Sequence, residues 1–395
     1  MNYIIFDNFR RNYLLPISFT RPVADIRIGI LTIRQKWEKQ LNSKISSLTE
    51  EYLGRNYPIE KADNNILING SVCPNNKLVE QVKSLKPKEA LITGNTILAM
   101  HVEADDLEKI GDGETHGIKE IEIEAEFIKL NESWDIFARN SQAILEDFNF
   151  LTTGRKSAPI SPTNRLIDQE NIFFEEGAKA EHCIINASAG PVYVGKDAEI
   201  MEGAMIRGPV AICENATVKM GAKIYGGTTI GPYCKVGGEI NNCVFIGYSN
   251  KAHDGYLGNS VIGEWCNIGA GTSNSNLKNT YDEVRLWSYP EQTFVRTGLQ
   301  FCGLIMGDHT KCGINTTFNT GTVIGVSANV YGPGFQRNFI ASFTWGGTSG
   351  FQQYDFEKAI DVAKVVYQRR NKEFTQNDRD ILFHVFKESL KNKKV

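Results

Sequence analysis

The sequence predicts a mixed α/β domain, then a parallel β-helix (a coiled stack of short parallel strands), then helices. The strongest observation is a six-residue period that begins at Val194. Eight positions at this spacing carry aliphatic, mostly β-branched side chains: Val194, Ile200, Ile206, Ile212, Val218, Ile224, Ile230 and Val236. A second run has the same spacing: Met306, Cys312, Phe318, Ile324 and Val330. A period of six fits neither a helix nor a simple strand, but it fits a chain that turns a corner every six residues and points one side chain per strand inward.

The first 155 residues carry strand and helix patterns without this period. Ile30, Ile33, Trp37 and Leu41 follow helical spacing, so we expect an amphipathic helix over 30–41. The other expected elements are strands at Asn2–Phe6, Ile66–Ile68 and Ala90–Thr93 and a helix at Trp134–Leu145. Residues 152–162 are rich in turn formers and mark our domain boundary.

The tail of the chain returns to helical spacing. Phe356, Ile360, Ala363 and Tyr367 predict one helix, and residues 381–390 a second. We therefore expect an α/β domain over 1–155, a β-helix over 165–335 and a helical tail over 336–395. The two helices would cover the open end of the β-helix, whose last coil otherwise exposes unpaired edge groups.

The repeat is interrupted at two places. After Val236 the register breaks around Asn241-Asn242 and resumes at Ile262, and a polar insertion runs from Asn274 to about Asp282. Interruptions of this kind form loops that leave one corner of the coil, and such loops carry function in many repeat proteins. We therefore look for the functional residues there.

The composition excludes several classes of protein. A net charge of −3 argues against nucleic-acid binding, and the sequence has no run of 18 apolar residues that would cross a membrane. The N-terminal segment does not have the pattern of a secretory signal peptide. Eight cysteines, none closer than nine residues to the next, leave no CxxC motif, and several fall on or near the repeat register. We expect a reduced, cytoplasmic protein.

His253 lies in the first interruption of the repeat, where a side chain can project outward. An imidazole is suited to accept a proton from an amine that attacks a thioester. The tetrahedral intermediate would need hydrogen-bond donors at its oxyanion, and glycine-lined coils offer backbone N–H groups for this purpose. The alternative interpretation is an exposed loop histidine that hydrogen-bonds a neighbour.

Three segments around this histidine resemble a known family. KAHDGYLG at 251–258, NIGAGT at 267–272 and SNLKN at 275–279 resemble the acetyltransferase half of the bacterial bifunctional N-acetylglucosamine-1-phosphate uridyltransferase/glucosamine-1-phosphate acetyltransferase. The resemblance is greater to the variant form of Bacteroidetes-type bacteria. It covers about 170–335 and implies a left-handed parallel β-helix, a homotrimer, and acetyl-CoA lying along the coils between subunits.

The resemblance also implies roles for single residues. His253 would be the general base, Tyr256, Asn267 and Asn276 would contact the sugar phosphate, and the backbone of Ala270 would meet the acetyl-CoA end of the site. The family's basic side chains at the sugar phosphate have no clear equivalent here, and Lys251 would supply the missing positive charge. The acceptor is an amino-sugar phosphate or a nucleotide sugar.

The N-terminal domain resembles the sugar-phosphate nucleotidyltransferases through LPISFTRP at 15–22. The family's glycine-rich loop is replaced by Asp7-Asn8-Phe9-Arg10-Arg11, so Arg10, Arg11 and Arg21 would bind phosphate instead. Ser71 stands where a strand delivers a metal-binding aspartate in that family. The resemblance implies nucleotidyl transfer to a sugar 1-phosphate, with Mg²⁺ if the domain is active; an inactive nucleotide- or sugar-binding domain is the alternative.

Three further alternatives remain open at this point. The first is a monofunctional sugar-1-phosphate uridylyl- or thymidylyltransferase with a structural, trimerising β-helix, and the second is a scaffold without activity. Zinc chemistry, known from some left-handed β-helix proteins, needs three converging histidines. The six histidines are His101, His116, His182, His253, His309 and His384, and the repeat region has no pair at short spacing.

Overall fold

The computed structural model describes residues 1–107, 117–124 and 126–391. The chain divides into two compact units. The first unit comprises Met1–Leu14, Arg21–Ile26 and Leu31–Asn131, and the second comprises Leu15–Thr20, Arg27–Ile30 and Glu132–Val395. The expected boundary near residue 155 therefore differs from this division, because the helices after residue 131 pack with the second unit.

The first unit is a mixed α/β layer around one sheet. The strand order is Ser46–Leu48, Asn2–Phe6, Asn64–Asn69, Thr96–Glu103, Glu89–Thr93 and Lys119–Glu122. The strand Asn64–Asn69 runs parallel to Asn2–Phe6 and antiparallel to Thr96–Glu103. Its helices are Ile33–Leu41 and Asn76–Ser84. Ile4, Leu67 and Met100 are part of its buried core.

The strands expected in this unit are confirmed. The expected helix over 30–41 begins three residues later, at Ile33. The reason is a capping box: the Thr32 hydroxyl accepts from the Gln35 N–H at 3.2 Å, and the Gln35 side chain accepts from the Thr32 N–H at 3.0 Å.

The second unit is a parallel β-helix with three faces, which we name A, B and C. Face A stacks Ile172–Phe174, Val192–Val194, Val210–Ile212, Thr228–Ile230, Glu239–Gly247, Tyr256–Glu264, Leu304–Met306, Thr322–Ile324 and Phe339–Ile340. Face B stacks Lys179–Ala180, Glu199–Ile200, Thr217–Val218, Lys235–Val236, Asn250–Lys251, Asn267–Ile268, Lys311–Cys312, Asn329–Val330 and Thr344–Gly347. Face C stacks Arg165–Ile167, Ile184–Asn186, Met205–Arg207 and Lys223–Ile224, followed by the first parts of Glu239–Gly247 and Tyr256–Glu264.

The parallel pair Ser273–Asn274 and Thr317–Phe318 continues face C, with Asn274 and Phe318 in the inward row. Further strands are Arg27–Ile28, the hairpin Arg285–Ser288 and Thr293–Arg296, and Gly350–Gln353, which is antiparallel to Thr344–Gly347. The helices are Asp135–Ala138, Asn140–Thr152, Phe356–Gln368 and Gln376–Lys391. The helix expected at 134–145 is therefore two helices that together run further.

The six-residue repeat forms the core of the β-helix, as expected. Every member of both runs is buried, in one hydrophobic cluster that fills the coils. The eight cysteines are free thiols and all are buried. Burial raises the pKa of the seven thiols in the second unit, to about 12 for Cys243 and Cys266, so they behave as small core side chains.

The first interruption of the repeat is not an inserted loop, which corrects the expectation. The inward positions continue through it: Ile240, Phe245, Lys251, Leu257, Ile262, Ile268 and Asn274, each 4% exposed or less. The step from Val236 to Ile240 is four residues long, and the steps from Ile240 to Phe245 and from Leu257 to Ile262 are five residues long. Each five-residue step shortens the coil by one residue at the corner where the long strands Glu239–Gly247 and Tyr256–Glu264 pass between faces C and A.

The second interruption is longer than expected. Instead of ending near Asp282, the excursion runs from Ser275 to Phe301 and contains the hairpin. Trp287 of this hairpin stacks on Phe339 with a centroid distance of 4.4 Å. The two expected tail helices are confirmed, and Phe386 of the second one packs edge-on against Phe343 of the last coil at 5.2 Å.

Candidate functional site

A cavity of about 650 Å³ lies on face B of the β-helix. Its floor is a row of outward side chains in register on four neighbouring strands: Lys235, Asn250, Asn267 and Lys311. Neighbouring strands are about 4.8 Å apart, so this row extends over roughly 14 Å. The cavity has the size and the mixed lining of a site for a small organic ligand.

His253 lines this cavity from the short corner between strands Asn250–Lys251 and Tyr256–Glu264, and its side chain is exposed. Asn267 and Ala270, two other residues predicted for the site, line the same cavity. Residues that lie up to 17 positions apart in the sequence thus meet because one full coil of the β-helix separates them. An exposed imidazole at a cavity wall can act on a bound ligand as a proton acceptor.

Lys251 lies elsewhere than predicted. Its side chain is 1% exposed and occupies the inward row, in register with Val236 on the preceding coil. The ammonium group donates to the carbonyl oxygens of His253 at 3.0 Å and Asp254 at 3.3 Å. Burial lowers the pKa of Lys251 to about 8. The residue does not line the cavity, so it supports the His253 corner from inside and is not placed to bind a phosphate.

The cavity wall beside His253 is formed by residues with little or no side chain. Ala252 and Gly269 occupy equivalent positions on successive coils, directly after the inward residues Lys251 and Ile268. A Cβ atom on Gly269 would lie 2.5 Å from the carbonyl carbon of Gly313 on the next coil. The packing of the coils therefore requires glycine at this position, and the absence of side chains leaves a backbone-lined groove.

Tyr256 and Asn276 form a pair outside this cavity. The Asn276 Nδ2 atom donates to the Tyr256 hydroxyl at 3.0 Å and to the Asn259 Oδ1 atom at 2.7 Å. Burial is the main cause that raises the pKa of the Tyr256 phenol. The structure thus brings two of the predicted acceptor residues together with each other, but not with Asn267, on the single chain.

The tail contributes residues to the cavity that the sequence analysis did not select. Val366, Arg369 and Arg370 line it, at the end of the helix Phe356–Gln368. Tyr367 stacks on Trp265 at a centroid distance of 4.1 Å and so fixes the helix to the coil below His253. The sequence shows two adjacent arginines at the end of a predicted helix, but nothing in it indicates which coil of the β-helix these arginines contact.

The first unit has a cavity of its own, of about 950 Å³, lined by residues of the loop after the first strand. Arg10, Arg11 and Lys129 supply positive charge there. Burial, followed by the charge of Arg10, lowers the pKa of Lys129, whose ammonium donates to the Thr96 hydroxyl at 3.0 Å. Arg11 is buried and donates to the Tyr52 hydroxyl at 2.6 Å.

Asp7 is the most buried acid of this cavity. Its carboxylate accepts from the Thr49 hydroxyl at 2.6 Å and the Val23 N–H at 2.9 Å, and lies 3.4 Å from the Arg11 guanidinium. Burial nevertheless raises its pKa. Arg21, predicted to bind phosphate, is buried and does not line the cavity. The motif that suggested it is divided, because residues 15–20 belong to the second unit.

The first unit does not fit a protein-held Mg²⁺ ion. Ser71, at the position of the metal-binding aspartate, is buried and donates to the Asn69 Oδ1 atom at 2.8 Å. Asp7 already accepts from two donors and forms an ion pair with the Arg11 guanidinium. Among the described residues, no group of three or more His, Cys, Asp or Glu side chains could hold a metal ion. This also leaves no support for a zinc site, although His116 lies outside the described residues.

In the described part of the chain, no helix is both long and apolar enough to cross a membrane.

Comparison with known proteins gives a family match for the N-terminal part of the chain. Residues 3–156 match the family of sugar nucleotidyl transferases.

The curated relatives include two proteins named as bifunctional and one named as an acetyltransferase. The chain is 28% identical over 219 residues to a bifunctional sugar-1-phosphate nucleotidylyltransferase/acetyltransferase of Sulfurisphaera tokodaii, covering 55% of this chain and 47% of that protein. It is 28% identical over 175 residues to the bifunctional protein GlmU of Rippkaea orientalis, covering 39% and 34%. It is 29% identical over 177 residues to the uncharacterized acetyltransferase YaiX of Escherichia coli, covering 43% and 76%. The chain thus spans about half or less of the two bifunctional relatives.

Proposed function

We propose, from the nucleotidyltransferase family of the first domain and the His253 cavity of the second, that the chain is a transferase of nucleotide-sugar biosynthesis. The β-helix transfers the acetyl group of acetyl-CoA to the amine of an amino-sugar phosphate or nucleotide sugar. The observation that carries the proposal is the position of His253 at the wall of a cavity on face B, beside a groove lined by Ala252 and Gly269. Relatives named as acetyltransferases support it.

The proposed reaction is an aminolysis of the thioester. The acceptor amine attacks the carbonyl carbon, and His253 accepts the proton that the amine loses as the new C–N bond forms. The C–S bond then breaks, and the departing coenzyme A thiolate takes up a proton, which the imidazolium of His253 supplies. Backbone N–H groups of the glycine-lined groove near Ala270 are suited to stabilise the oxyanion of the tetrahedral intermediate.

The acceptor site extends beyond one copy of the chain in this proposal. Asn267 faces the cavity, whereas the hydrogen-bonded pair Tyr256–Asn276 lies outside it. We propose a cytoplasmic homotrimer in which the Tyr256–Asn276 pair of one copy completes an acceptor site at the cavity of another. Analytical ultracentrifugation tests this directly, since a stable monomer that is fully active would contradict the trimer.

The test of the general base compares two histidine variants. We expect His253→Gln to lower kcat about 10²- to 10⁴-fold with acetyl-CoA and an amino-sugar phosphate, the usual range for loss of a general base. His182→Gln, which changes another exposed corner histidine of the β-helix, is the matched control and should keep its activity. Full turnover of His253→Gln with its best acceptor would show that this residue is not the base.

We propose a second function for the 950 Å³ cavity of the first unit, which is to bind a nucleotide or a sugar 1-phosphate. Arg10, Arg11 and Lys129 place positive charge around it, as phosphate binding requires. Nucleotidyl transfer in this cavity would require more than binding, because the residues of the first unit do not fit a protein-held Mg²⁺ ion. The monofunctional alternative predicts this activity alone, with no acetyl transfer.

Calorimetry with UTP, dTTP and sugar 1-phosphates separates these cases. We expect saturable binding that Arg10→Ala with Lys129→Ala weakens at least tenfold. A parallel assay of pyrophosphate release, with and without added Mg²⁺, reports transfer. Binding without release identifies a binding domain, release identifies a transferase, and failure of every ligand to bind contradicts both.

A further inference from the structure

Four basic side chains line the cavity that contains His253. The ammonium group of Lys311 donates to the carbonyl oxygens of Trp265 at 2.9 Å and His309 at 2.7 Å, which leaves three for a ligand. Lys235 projects from face B, and Arg369 and Arg370 follow the helix Phe356–Gln368. The Arg370 guanidinium donates to the Asn250 Oδ1 atom at 2.9 Å, so it reaches across to the floor of the cavity. Among the described residues, none of these three cations forms an ion pair with a carboxylate.

The positive charges are close enough to act on each other. Burial lowers the pKa of Lys235 first, and the charges of Arg370, Lys219 and Arg369 lower it further. Four cations are thus gathered in a chain whose net charge is −3. Like charges held together without counter-charges repel each other, and a bound anion relieves that repulsion.

A purely structural account covers only part of this cluster. Cations near the C-terminal end of a helix are favoured by the helix dipole, which explains an arginine pair after Gln368. It does not explain why Lys235, on face B of the β-helix, lines the same cavity as the two arginines. Two unconnected elements of the fold supply the same sign of charge to one cavity.

The aromatic wall of the cavity limits how a ligand can bind there. Tyr248 and Trp265 line it and stack on each other at 4.3 Å. The outer ring faces are occupied as well, because Tyr233 stacks on Tyr248 at 4.9 Å and Tyr367 on Trp265 at 4.1 Å. A nucleobase therefore has no free face of Tyr248 or Trp265 to stack on, whereas the basic side chains of the cavity suit phosphate groups.

We propose that Arg369, Arg370 and Lys235 form a subsite that binds the phosphate groups at the nucleotide end of the acyl donor. This inference rests on the proposed acetyl transfer. It makes the helical tail a part of the donor site, and it predicts recognition that depends on the number of phosphates more than on the base. Charge-assisted hydrogen bonds from two guanidinium groups suit a bisphosphate.

The test measures binding, so it does not depend on turnover. Adenosine 3′,5′-bisphosphate, coenzyme A and dephospho-coenzyme A are titrated calorimetrically into the full chain and into Arg369→Ala/Arg370→Ala. We expect the bisphosphate and coenzyme A to bind at least tenfold more weakly to the variant. We also expect the preference for coenzyme A over dephospho-coenzyme A to fall toward one, and higher salt to weaken binding to the unchanged chain.

The matched control is Lys358→Ala/Lys364→Ala, which removes two charges from exposed positions of the same helix. It should leave all three affinities within twofold, and circular dichroism should show both variants folded. Equal weakening by both variants, or unchanged binding by the arginine variant, would overturn the subsite. Binding that follows the expected pattern without any acetyl transfer would overturn the proposed function alone. Turnover with an unchanged KM for acetyl-CoA in the arginine variant would overturn the subsite alone.

Discussion

The ammonium nitrogen of Lys251 lies 3.0 Å from the carbonyl oxygen of His253, inside the β-helix. A charged side chain thus occupies a core row otherwise filled by residues such as Val236 and Ile268. Burying an ammonium group is unfavourable unless it is hydrogen-bonded, and here two backbone carbonyls provide that compensation. The interaction ties the corner that presents His253 to the interior of the coil.

Replacement of this lysine should therefore act on catalysis. In Lys251→Met the carbonyls of His253 and Asp254 lose their donor, so we expect the corner to loosen and kcat for acetyl transfer to fall about tenfold, equivalent to ~1.4 kcal/mol of activation free energy. The KM for acetyl-CoA should change less than twofold. Steady-state kinetics measures this. An unchanged kcat would mean that the hydrogen bonds from Lys251 do not position His253.

The same residue predicts a dependence of stability on pH. The pKa of Lys251 is about 8 in the folded chain and about 10.4 when unfolded. Between these values the unfolded state holds more protons, so the contribution of this group to stability increases with pH and is constant below pH 8.

We expect the melting temperature of the unchanged chain, relative to Lys251→Met, to increase from pH 8 to pH 10. The slope has an upper limit of about 1.4 kcal/mol per pH unit. The buried cysteines, whose raised thiol pKa values act with the opposite sign, are present in both proteins and cancel in the difference. A difference that is flat or declines over this range would contradict the assignment.

Loss of the Tyr256–Asn276 hydrogen bond should change the KM for the sugar acceptor and not the KM for acetyl-CoA. Tyr256→Phe and Asn276→Ala each remove the 3.0 Å hydrogen bond, and we expect each to increase the KM for the sugar acceptor about three- to tenfold. Because both changes break one interaction, their effects should be less than additive in the double variant. Additive effects, or an equal increase of the KM for acetyl-CoA, would contradict a role of this pair in binding the acceptor.

Gly269→Ala should damage the groove. The new methyl group would lie 2.5 Å from the carbonyl carbon of Gly313, and relief of such a clash in a packed core costs about 1–3 kcal/mol of stability. Gly247→Ala is the control, since its closest neighbour at 3.1 Å is the end of the Glu264 side chain, which can move. Chemical denaturation and coenzyme A binding measure both effects, and equal stability of the two variants would disagree with the packing.

The site was partly predictable from the sequence. His253, Asn267 and Ala270 line one cavity, because a resemblance over a single coil carries their spacing. Lys251 was misplaced, because the repeat was followed only in steps of six. Allowing a four-residue step from Val236 to Ile240 and then a five-residue step places Phe245, Lys251 and Leu257 in the inward row. No spacing of this kind linked Arg369 or Arg370 to this cavity.

The sequence alone determined the β-helix and its core, because the burial of one side chain per short strand is a local pattern that repeats at a constant spacing. It also determined the two tail helices through their own periodicity. Only the tertiary structure decided that Trp265 and Tyr367 stack, and that the helix end consequently brings its arginines to Lys235. Such contacts join elements about 100 residues apart through packing, and no local spacing encodes them. The division of residues 15–20 and 132–152 from the first unit has the same cause.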